Sequence, residues 1–557
     1  MSKCVKKLLL NACCVVIAGQ LAGETADVVI YGSTPAALSA AISAKKAGRS
    51  VIIVSPERRI GGLTTGGLGS TDIGNKAAFG GLALQFYKDI ATYYQDDSRW
   101  NWQKRSEYAP DGQCADSFGG GSMWTFEPSA ALRVLEGWER KYALDIRRGE
   151  YLVRELNSGV EVEDGKIKSI KTLSGNLYRG KVFVDATYEG DLMAAAGVSY
   201  RVGREPNTVY GEQLNGINRK QAIYHQMEPG VSAYVVPGDP RSGLLPFVEP
   251  ETDAVDGSGD DRVQAYCFRM CLTDNPENRI PFAKPANYDS RNYELLFRNF
   301  EAQVKHHPEW TGSVAEWTGL PWINSKMPNR KTDTNNRLGV STDFIGRNWK
   351  WPNASYAERE RILKEHLDYQ QGYMWALANE PRIPEYVRRE VSRWGTCKDE
   401  FQDGFGNGWQ RQLYVREARR MVGEYVMTEA NCRGIARAPR PVAMAAYQMD
   451  SHNVRRYVDK DGFVRNEGDV EVGGCGPYPI DYGAIVPKRS ECGNLYVPVC
   501  VSSSHIAFGS IRMEPVFFAL GQAAGSAAAL AVEKNVFVQD VPYALLRERL
   551  LTEGQVL

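Results

Sequence analysis

The feature that most constrains the fold is a unit near the N-terminus, DVVIYGSTPAALSAAISAKKAG, residues 27–48. Its first residues form a mostly apolar run with β-branched side chains, which is typical of a strand covered on both faces. Pro35 then stands where a helix can begin without losing a hydrogen bond, and Gly48 ends the Ala-rich run. The apolar run SVIIVS, residues 50–55, predicts a second strand. A strand, a helix and a parallel strand in about thirty residues indicate a right-handed βαβ unit.

The turn after the first strand carries only part of the dinucleotide-binding fingerprint. Where G-x-G-x-x-G requires three glycines, the chain has Gly32, Thr34 and Ala37. Gly32 can make the tight turn, and Ala37 adds only one methyl group where the helix packs on the strand. Thr34 gives less backbone access to a pyrophosphate than glycine, although its hydroxyl and N–H lie at a helix start, which favours phosphate. Two alternatives remain open on this unit alone, a nucleotide cradle and a non-binding α/β unit.

The second strand lacks the usual ribose-binding carboxylate at its end. The sequence there is VIIVSPE, so Ser55 stands at the expected position and Glu57 follows two residues later. Either Ser55 bonds the ribose weakly or Glu57 reaches it. The next stretch has six glycines between Gly61 and Gly74. Such a run lets the backbone approach a ligand, and it equally suits a flexible loop.

The two ends of the chain share a buried-strand character that the middle lacks. Residues 151–187 predict short antiparallel strands that end in a strongly apolar strand, and residues 493–500, GNLYVPVC, predict another. The stretch EPVFFALGQAAGSAAALAVEKN predicts a helix whose small residues allow close packing. Residues of about 205–470 are rich in Trp, Tyr, Pro and Arg. We interpret this middle part as a second lobe that faces the substrate.

The N-terminal residues 1–23 predict a secretory signal. Three lysines precede an apolar run that is too short to span a bilayer, and small residues follow it. A buried first helix is the alternative, and LNAC, ending at Cys13, faintly resembles a lipoprotein box. We therefore expect a periplasmic or secreted protein with no membrane span after signal removal, and leave lipoprotein anchoring open.

Cysteine use and charge restrict the partners. Three of the eleven cysteines lie in the signal segment, and the remaining eight allow disulfides in an exported chain without revealing their pairing. No C-x-x-C pair occurs, so neither a structural zinc site nor an iron–sulfur cluster is expected, and no metal is predicted. Lys plus Arg and Asp plus Glu both number 67. This balance gives no electrostatic reason to expect nucleic acid as a partner.

Taken together, these patterns resemble the FAD-dependent oxidoreductase family of exported bacterial proteins. Some of its members are named xanthan lyase, and the family is distantly similar to the flavin subunit of heterodisulfide reductase. The matching stretches follow the family's order across nearly the whole mature chain: VVIYGSTPAALSAAI, RRIGGLTTGGLGSTDIGN, VDATYEGDLMAAAGVSYRVGRE, PGDPRSGLLP, FRMCLTDNPENRIPF, KTDTNN, QLYVREARRMVGEYVMTE, MDSH and SSSHIAFGSIRMEPVFFALGQAAGSAAALA.

The resemblance implies an α/β fold with FAD as the cofactor. A Rossmann-like, three-layer FAD/NAD(P)-binding domain would comprise residues 24–204 and 471–557, with an inserted α+β substrate lobe at residues 205–470. The sequence departs from the family pattern at two places: two of the fingerprint glycines are absent, and Val499-Cys500 stand where many flavoproteins carry Gly-Asp. By similarity the cofactor-binding residues would be Gly32, Ser33 and Thr34 at the pyrophosphate, Ser55 or Glu57 at the ribose, Val153 at the adenine through its backbone, Gly61 and Gly62 along the ribityl chain, and Asp191, Arg512, Gly521 and Gln522 as further candidates.

Oxidation of an alcohol by a flavin requires a general base beside the donor. Only six histidines are present, and two of them, His452 in MDSHNVRR and His505 in SSSHIAFGS, lie in matching stretches. His505 is the first choice because it follows the strand expected under the flavin, although either histidine equally suits a hydrogen-bonded core position. Arg416 is a further catalytic candidate that could clamp an anionic substrate. The alternative is that REARR, residues 416–420, forms a solvated or salt-bridged helix face.

The resemblance and the signal segment together imply an exported oxidoreductase that transfers hydride from an alcohol or carbohydrate-like C–H donor to FAD. Tryptophans of the middle part suit stacking on sugar faces, and they equally suit a core. A polysaccharide lyase or hydrolase and a non-catalytic glycan-binding protein are the alternatives on the same fold. The electron acceptor that reoxidises the flavin is unknown. The tryptophans are Trp310, Trp317, Trp322, Trp349, Trp351 and Trp375.

Overall fold

The computed structural model describes residues 23–557 except 71, 111–120, 156–157, 310–319 and 475. The predicted signal segment lies outside the described residues apart from Gly23, as do Trp310 and Trp317. The α-helices of the described residues are α1 (Pro35–Lys46), α2 (Gly62–Thr65), α3 (Gly81–Tyr93), α4 (Pro128–Lys141), α5 (Asp191–Ala195), α6 (Asn207–Tyr210), α7 (Glu294–His306), α8 (Tyr356–Asn379), α9 (Glu385–Val391), α10 (Glu429–Cys432), α11 (His505–Ile511), α12 (Glu514–Lys534) and α13 (Tyr543–Thr552).

The strands are short apart from β1 and β6. They are β1 (Glu24–Tyr31), β2 (Val51–Ser55), β3 (Asp145–Arg148), β4 (Val160–Glu163), β5 (Lys166–Lys171), β6 (Leu177–Asp185), β7 (Tyr200–Val202), β8 (Cys271–Thr273), β9 (Arg279–Ile280), β10 (Ile323–Met327), β11 (Lys331–Asn335), β12 (Gly395–Cys397), β13 (Arg419–Met421), β14 (Pro441–Ala445), β15 (Met449–Ser451), β16 (Arg455–Val458), β17 (Val464–Glu467), β18 (Val470–Val472), β19 (Tyr478–Asp481) and β20 (Leu495–Tyr496).

A seven-stranded sheet in the order β3-β2-β1-β6-β5-β4 joins the two ends of the chain, with β20 also paired to β6. β1 is parallel to β2 and to β6, which confirms the predicted βαβ unit and the α/β class. β6 pairs with the antiparallel β5 at its start and with the parallel β20 at Phe183 and Val184. β20 is shorter than the predicted strand because the chain leaves the sheet after Tyr496, where the Val497 N–H bonds to the Ile485 carbonyl.

Helix α12 packs on α1 in the core. A Cβ atom at Gly521 would collide with the backbone of Ala36, and one at Gly525 would collide with that of Ala40. The small residues of both helices therefore allow their backbones to touch. By length and hydropathy α12 alone among the described helices could cross a bilayer, but 94% of its apolar stretch is buried in the fold, as in a core helix.

The middle part of the chain contains a second, five-stranded sheet in the order β10-β11-β8-β12-β9 and the long helix α8. Strand β13 of the middle part pairs antiparallel with β7, which follows β6 and α5 in the chain. The helix-face interpretation of REARR was wrong, because residues 416–418 are irregular and the segment then enters β13. Arg416 and Arg420 are buried and paired with acidic side chains instead of solvent.

Cys271 and Cys397 stand at facing positions of β8 and β12, with their sulfur atoms 3.8 Å apart and both side chains buried. Neither of these two cysteines forms a disulfide, and three other buried cysteines of the described residues, Cys267, Cys492 and Cys500, also carry free thiols.

Candidate active site

The turn between β1 and α1 needs a glycine at its first position. Gly32 has a φ of +106°, and a Cβ atom there would lie 2.7 Å from the Ala186 carbonyl oxygen. The Gly32 N–H donates to the Val54 carbonyl at 2.9 Å, so the turn is fixed between the ends of β2 and β6. Glycine is required here both by the backbone angle and by the closeness of the neighbouring strand.

Thr34 uses its hydroxyl within the protein. The Thr34 Oγ1 donates to the Ala186 carbonyl at 2.7 Å and does not cap α1. The hydroxyl predicted as a phosphate donor is therefore engaged, and the first-turn N–H groups of α1 are the donors that this helix start offers to an anion.

Ser55 and Ser33 link the end of β2 to the same turn. The Ser55 hydroxyl donates to Ser33 Oγ at 2.7 Å and lies 2.9 Å from the Glu57 carbonyl. The Gly61 N–H donates to the Ser33 carbonyl at 2.7 Å. The residues predicted at the pyrophosphate, the ribose and the ribityl chain thus belong to one hydrogen-bonded cluster.

A cavity of about 610 Å³ opens beside this cluster, at the carboxyl ends of β1, β2 and β6. Ligands of open α/β sheets bind at this edge of the sheet. The predicted residues Glu57, Gly62 and Asp191 lie on its wall. Other wall residues are Tyr31, Arg59, Tyr151, Thr187, Glu189, Trp351, Tyr356, Arg359, Gln410 and Leu413.

Two acidic residues on the cavity wall, Glu57 and Asp191, have carboxyl pKa values shifted in opposite directions. Glu57 is exposed on the cavity wall, where the surrounding protein and the negative charge of Glu189 raise the pKa of its carboxyl above the usual range. Asp191 is buried, and Arg359 binds both of its oxygens at 2.6 and 2.9 Å while Arg154 and Arg419 add further contacts. These arginines overcome desolvation and hold the pKa of Asp191 well below its usual range. Burial also raises the pKa of Glu189 on the same wall, so Glu57 and Glu189 take up a proton more readily than Asp191 does.

Three other predicted cofactor residues lie away from the cavity wall. The Val153 N–H donates to the Lys171 carbonyl. Gly521 packs against α1, and Gln522 accepts from the Leu82 N–H at 2.7 Å. In this structure Gly521 and Gln522 join helices to one another.

Three buried arginines surround the ring of Tyr414, the residue that follows the wall residue Leu413 in the chain. The guanidinium carbons of Arg269, Arg416 and Arg512 lie 5.7, 4.5 and 5.9 Å from the centre of the Tyr414 ring. Arg512 also donates to the Tyr414 hydroxyl at 2.9 Å. Among the described residues Arg269 Nη1, Arg416 Nε and Arg512 Nε have no hydrogen-bond partner although they are buried. We call these four residues the arginine cluster; it offers three buried donors to an acceptor that the protein does not supply.

Asp343 joins His452 to the arginine cluster. One oxygen of Asp343 lies 2.8 Å from His452 Nδ1, and the other lies 2.9 Å from Arg416 Nη2. His452 Nε2 is 4.0 Å from Asp450 Oδ1, beyond hydrogen-bond distance. Burial, followed by the positive charge of Arg416, lowers the pKa of His452 below its ordinary value. The imidazole is therefore neutral at pH 7, is oriented through Nδ1 and has Nε2 available to accept a proton.

His505, the first choice from the sequence, has both ring nitrogens occupied. Its Nδ1 lies 2.7 Å from Glu417 Oε2 and its Nε2 lies 3.1 Å from Ser451 Oγ. Burial, followed by the charge of Arg420, lowers the pKa of His505 to about 3. These contacts match the core-histidine alternative and leave His452 as the better-placed base.

The comparison with known families decides the class of the protein. The sequence profile of the family described as FAD dependent oxidoreductase matches residues 27–550. The chain belongs to this family. Its cofactor is FAD and it is an FAD-dependent oxidoreductase, as the sequence predicted. No curated protein gives a significant match to the sequence.

Solved structures of flavoproteins resemble parts of the chain. They include AlpK (17% identity, 32% of this chain, 35% of that chain, TM-score 0.22), a flavin-containing monooxygenase from Stenotrophomonas maltophilia (17%, 32%, 42%, 0.19) and thioredoxin reductase from T. acidophilum (19%, 29%, 35%, 0.17). The chain spans less than half the length of each of these proteins.

Two groups of residues fit FAD: the turn after β1 together with the end of β2, and the arginine cluster. The start of α1, set by the Gly32 turn, would present its backbone N–H groups to a pyrophosphate, and Ser55 and Glu57 at the end of β2 would lie near a ribose. The arginine cluster supplies the unpaired donors that a flavin carbonyl or an anionic donor accepts. Bound FAD supplies a hydride acceptor that no side chain provides.

Three residues that contact the candidate site residues were not predicted from the sequence. Asp343, Tyr414 and Glu417 contact the predicted arginines and histidines. Asp343 lies outside the matching stretches, and Tyr414 and Glu417 lie within QLYVREARRMVGEYVMTE but were not singled out there. The described tryptophans are separated: Trp351 lies on the cavity wall, Trp322 is fully buried, and Trp375 packs on Tyr288 with ring centres 4.6 Å apart.

Proposed function

We propose that this oxidoreductase oxidises a hydroxyl group of a carbohydrate-like donor, with the hydride passing to FAD and the hydroxyl proton passing to His452. The observation that carries this proposal is the His452–Asp343 pair, in which Nδ1 is held at 2.8 Å and Nε2 has no hydrogen-bond partner nearer than Asp450 at 4.0 Å in the described structure. A base oriented in this way is what alcohol oxidation requires of the protein.

The arginine cluster supports a donor that carries a negative charge. Arg269 is paired with Asp333 through two oxygens at 2.8 and 2.7 Å, and its Nη1 remains unpaired and buried. Arg512 likewise keeps Nε unpaired. A carboxylate accepts hydrogen bonds from such donors in a forked geometry, so a sugar acid satisfies the cluster better than a neutral sugar.

The test is anaerobic bleaching of the flavin absorbance by matched donors. Each neutral sugar is paired with the corresponding uronic acid, for example glucose with glucuronate. We expect the acid to reduce the flavin at least tenfold faster at low concentration, since one charge-assisted hydrogen bond contributes about 1.5–3 kcal/mol. Equal rates would contradict the anionic donor, and a colourless protein that releases no FAD would contradict the function itself.

Two further outcomes would assign the protein to another class. Cleavage of xanthan to unsaturated products by a flavin-free preparation would favour a lyase. Binding of glycans without flavin reduction by any donor would favour a non-catalytic protein.

Export is proposed from the order of charged, apolar and small residues in residues 1–23. We expect the mature chain to begin between Gly19 and Ala26 and to leave the cytoplasm. N-terminal sequencing of protein from fractionated cells measures both. An intact Met1 in a cytoplasmic fraction would contradict export.

A further inference from the structure

A second group of chemically active side chains lies outside the proposed base and the arginine cluster. One imidazole nitrogen of His225 and one carboxylate oxygen each of Asp469 and Glu471 lie within 4.8 Å of one another. The absence of a C-x-x-C pair led to the prediction of no metal, and His225 lies almost 250 residues before the two acids in the chain.

Strand geometry explains why the two acids converge. Asp469 immediately precedes β18 and Glu471 lies within it, so their side chains share one side of the strand, two residues apart. β18 pairs with β15 in a register that places Asp450 opposite Glu471. Facing residues of an antiparallel pair lie on the same face, so the carboxyl of Asp450, which pairs with Arg512 at 3.4 Å, stands beside the two acids.

Asp469 is the observation that points to a ligand. It is only 2% exposed, and its Oδ1 atom has no hydrogen-bond partner in the described part of the chain. A buried carboxylate without a partner is costly, and proteins pair such groups or use them to coordinate metals. His225, by contrast, lies 3.4 Å from Glu471 through Nε2. Two ligand atoms at bond lengths of about 2.1 Å from a tetrahedral ion are separated by roughly that distance.

We propose that His225, Asp469 and Glu471 bind one divalent first-row transition-metal ion, with zinc the best match. One imidazole nitrogen and two carboxylate oxygens are a ligand set that zinc uses when solvent or a ligand completes the coordination. Calcium and magnesium prefer oxygen ligands alone, so the imidazole disfavours them. The site does not depend on the proposed donor chemistry.

The experiment uses the FAD-loaded protein after EDTA treatment and dialysis. Zinc is titrated by calorimetry, and bound metal is counted by mass spectrometry after gel filtration. We expect one zinc ion per chain, a raised melting temperature, and at least a tenfold weaker affinity in Asp469→Asn and in Glu471→Gln, because even outer-shell changes cost roughly tenfold to a hundredfold in affinity. Glu471 is partly exposed, so its variant keeps the test valid if Asp469→Asn does not fold.

A matched control is available on the surface. His306 faces Glu228 at 3.3 Å, which reproduces a histidine–glutamate pair without the buried third carboxylate. His306→Ala should bind zinc as the wild type does. Zinc binding below one-tenth of an equivalent in the wild type, or an unchanged affinity in Glu471→Gln, would overturn the proposal.

Discussion

His452→Ala should slow flavin reduction by the best donor by about 10²- to 10⁴-fold while FAD stays bound, since a positioned base contributes that range. The side chain is buried beside Asp343, and its lowered pKa keeps the imidazole neutral at pH 7. The wild-type rate should therefore be constant above that pKa and fall as the pH drops below it. Anaerobic stopped-flow absorbance across pH 5 to 9 measures both effects.

Asp343→Asn separates orientation from simple loss of a base. The amide cannot neutralise Arg416 or fix the same imidazole tautomer, so we expect a lower kcat with a smaller change in KM. His306→Ala is the control for a surface histidine and should leave the rate unchanged. If flavin reduction in His452→Ala proceeded at the wild-type rate, His452 would not be the general base.

Gly32→Ala should abolish FAD binding. The added Cβ would lie 2.7 Å from the Ala186 oxygen, and φ at this position is +106°. Either the turn moves off the end of β6 or the substitution is not accommodated, and in both cases the N–H groups at the start of α1 no longer face a pyrophosphate. The ratio of flavin to protein absorbance, followed by titration with free FAD, measures the loss.

Gly48→Ala is the matched control for backbone strain. Gly48 also has a positive φ, +77°, but a Cβ atom there meets nothing within 4 Å. This variant should lose about 1–2 kcal/mol of stability from its left-handed backbone and keep its FAD. Retention of wild-type FAD affinity in Gly32→Ala would show that the turn does not hold the cofactor.

Within the FAD site, the sequence predicted the elements better than the side-chain roles. Gly32, Ser33 and Ser55 do converge on one turn, because the βαβ unit brings the ends of β1 and β2 together. Thr34 was expected to offer its hydroxyl to phosphate, yet that hydroxyl bonds Ala186, which is 152 residues away. A local pattern specifies where a turn occurs, and it does not specify which distant carbonyl the turn touches.

The choice between the two histidines shows the same limit. His452 and His505 both lie in matching segments, and the sequence favoured His505 because it follows the strand expected under the flavin. They differ because Asp343, 109 residues from His452, leaves one ring nitrogen open, whereas Glu417 and Ser451 occupy both nitrogens of His505.

The sequence by itself determined the α/β class, the βαβ unit, the close-packed α12 and, through its resemblance to a family, FAD. These follow from apolar periodicity and small residues, which act over a few turns or strands. Only the tertiary structure decided which buried donors remain unpaired, which histidine can accept a proton, and that His225 meets Asp469 and Glu471. Contacts between residues that are distant in sequence depend on the register of distant strands and the course of long loops, and local patterns do not encode either.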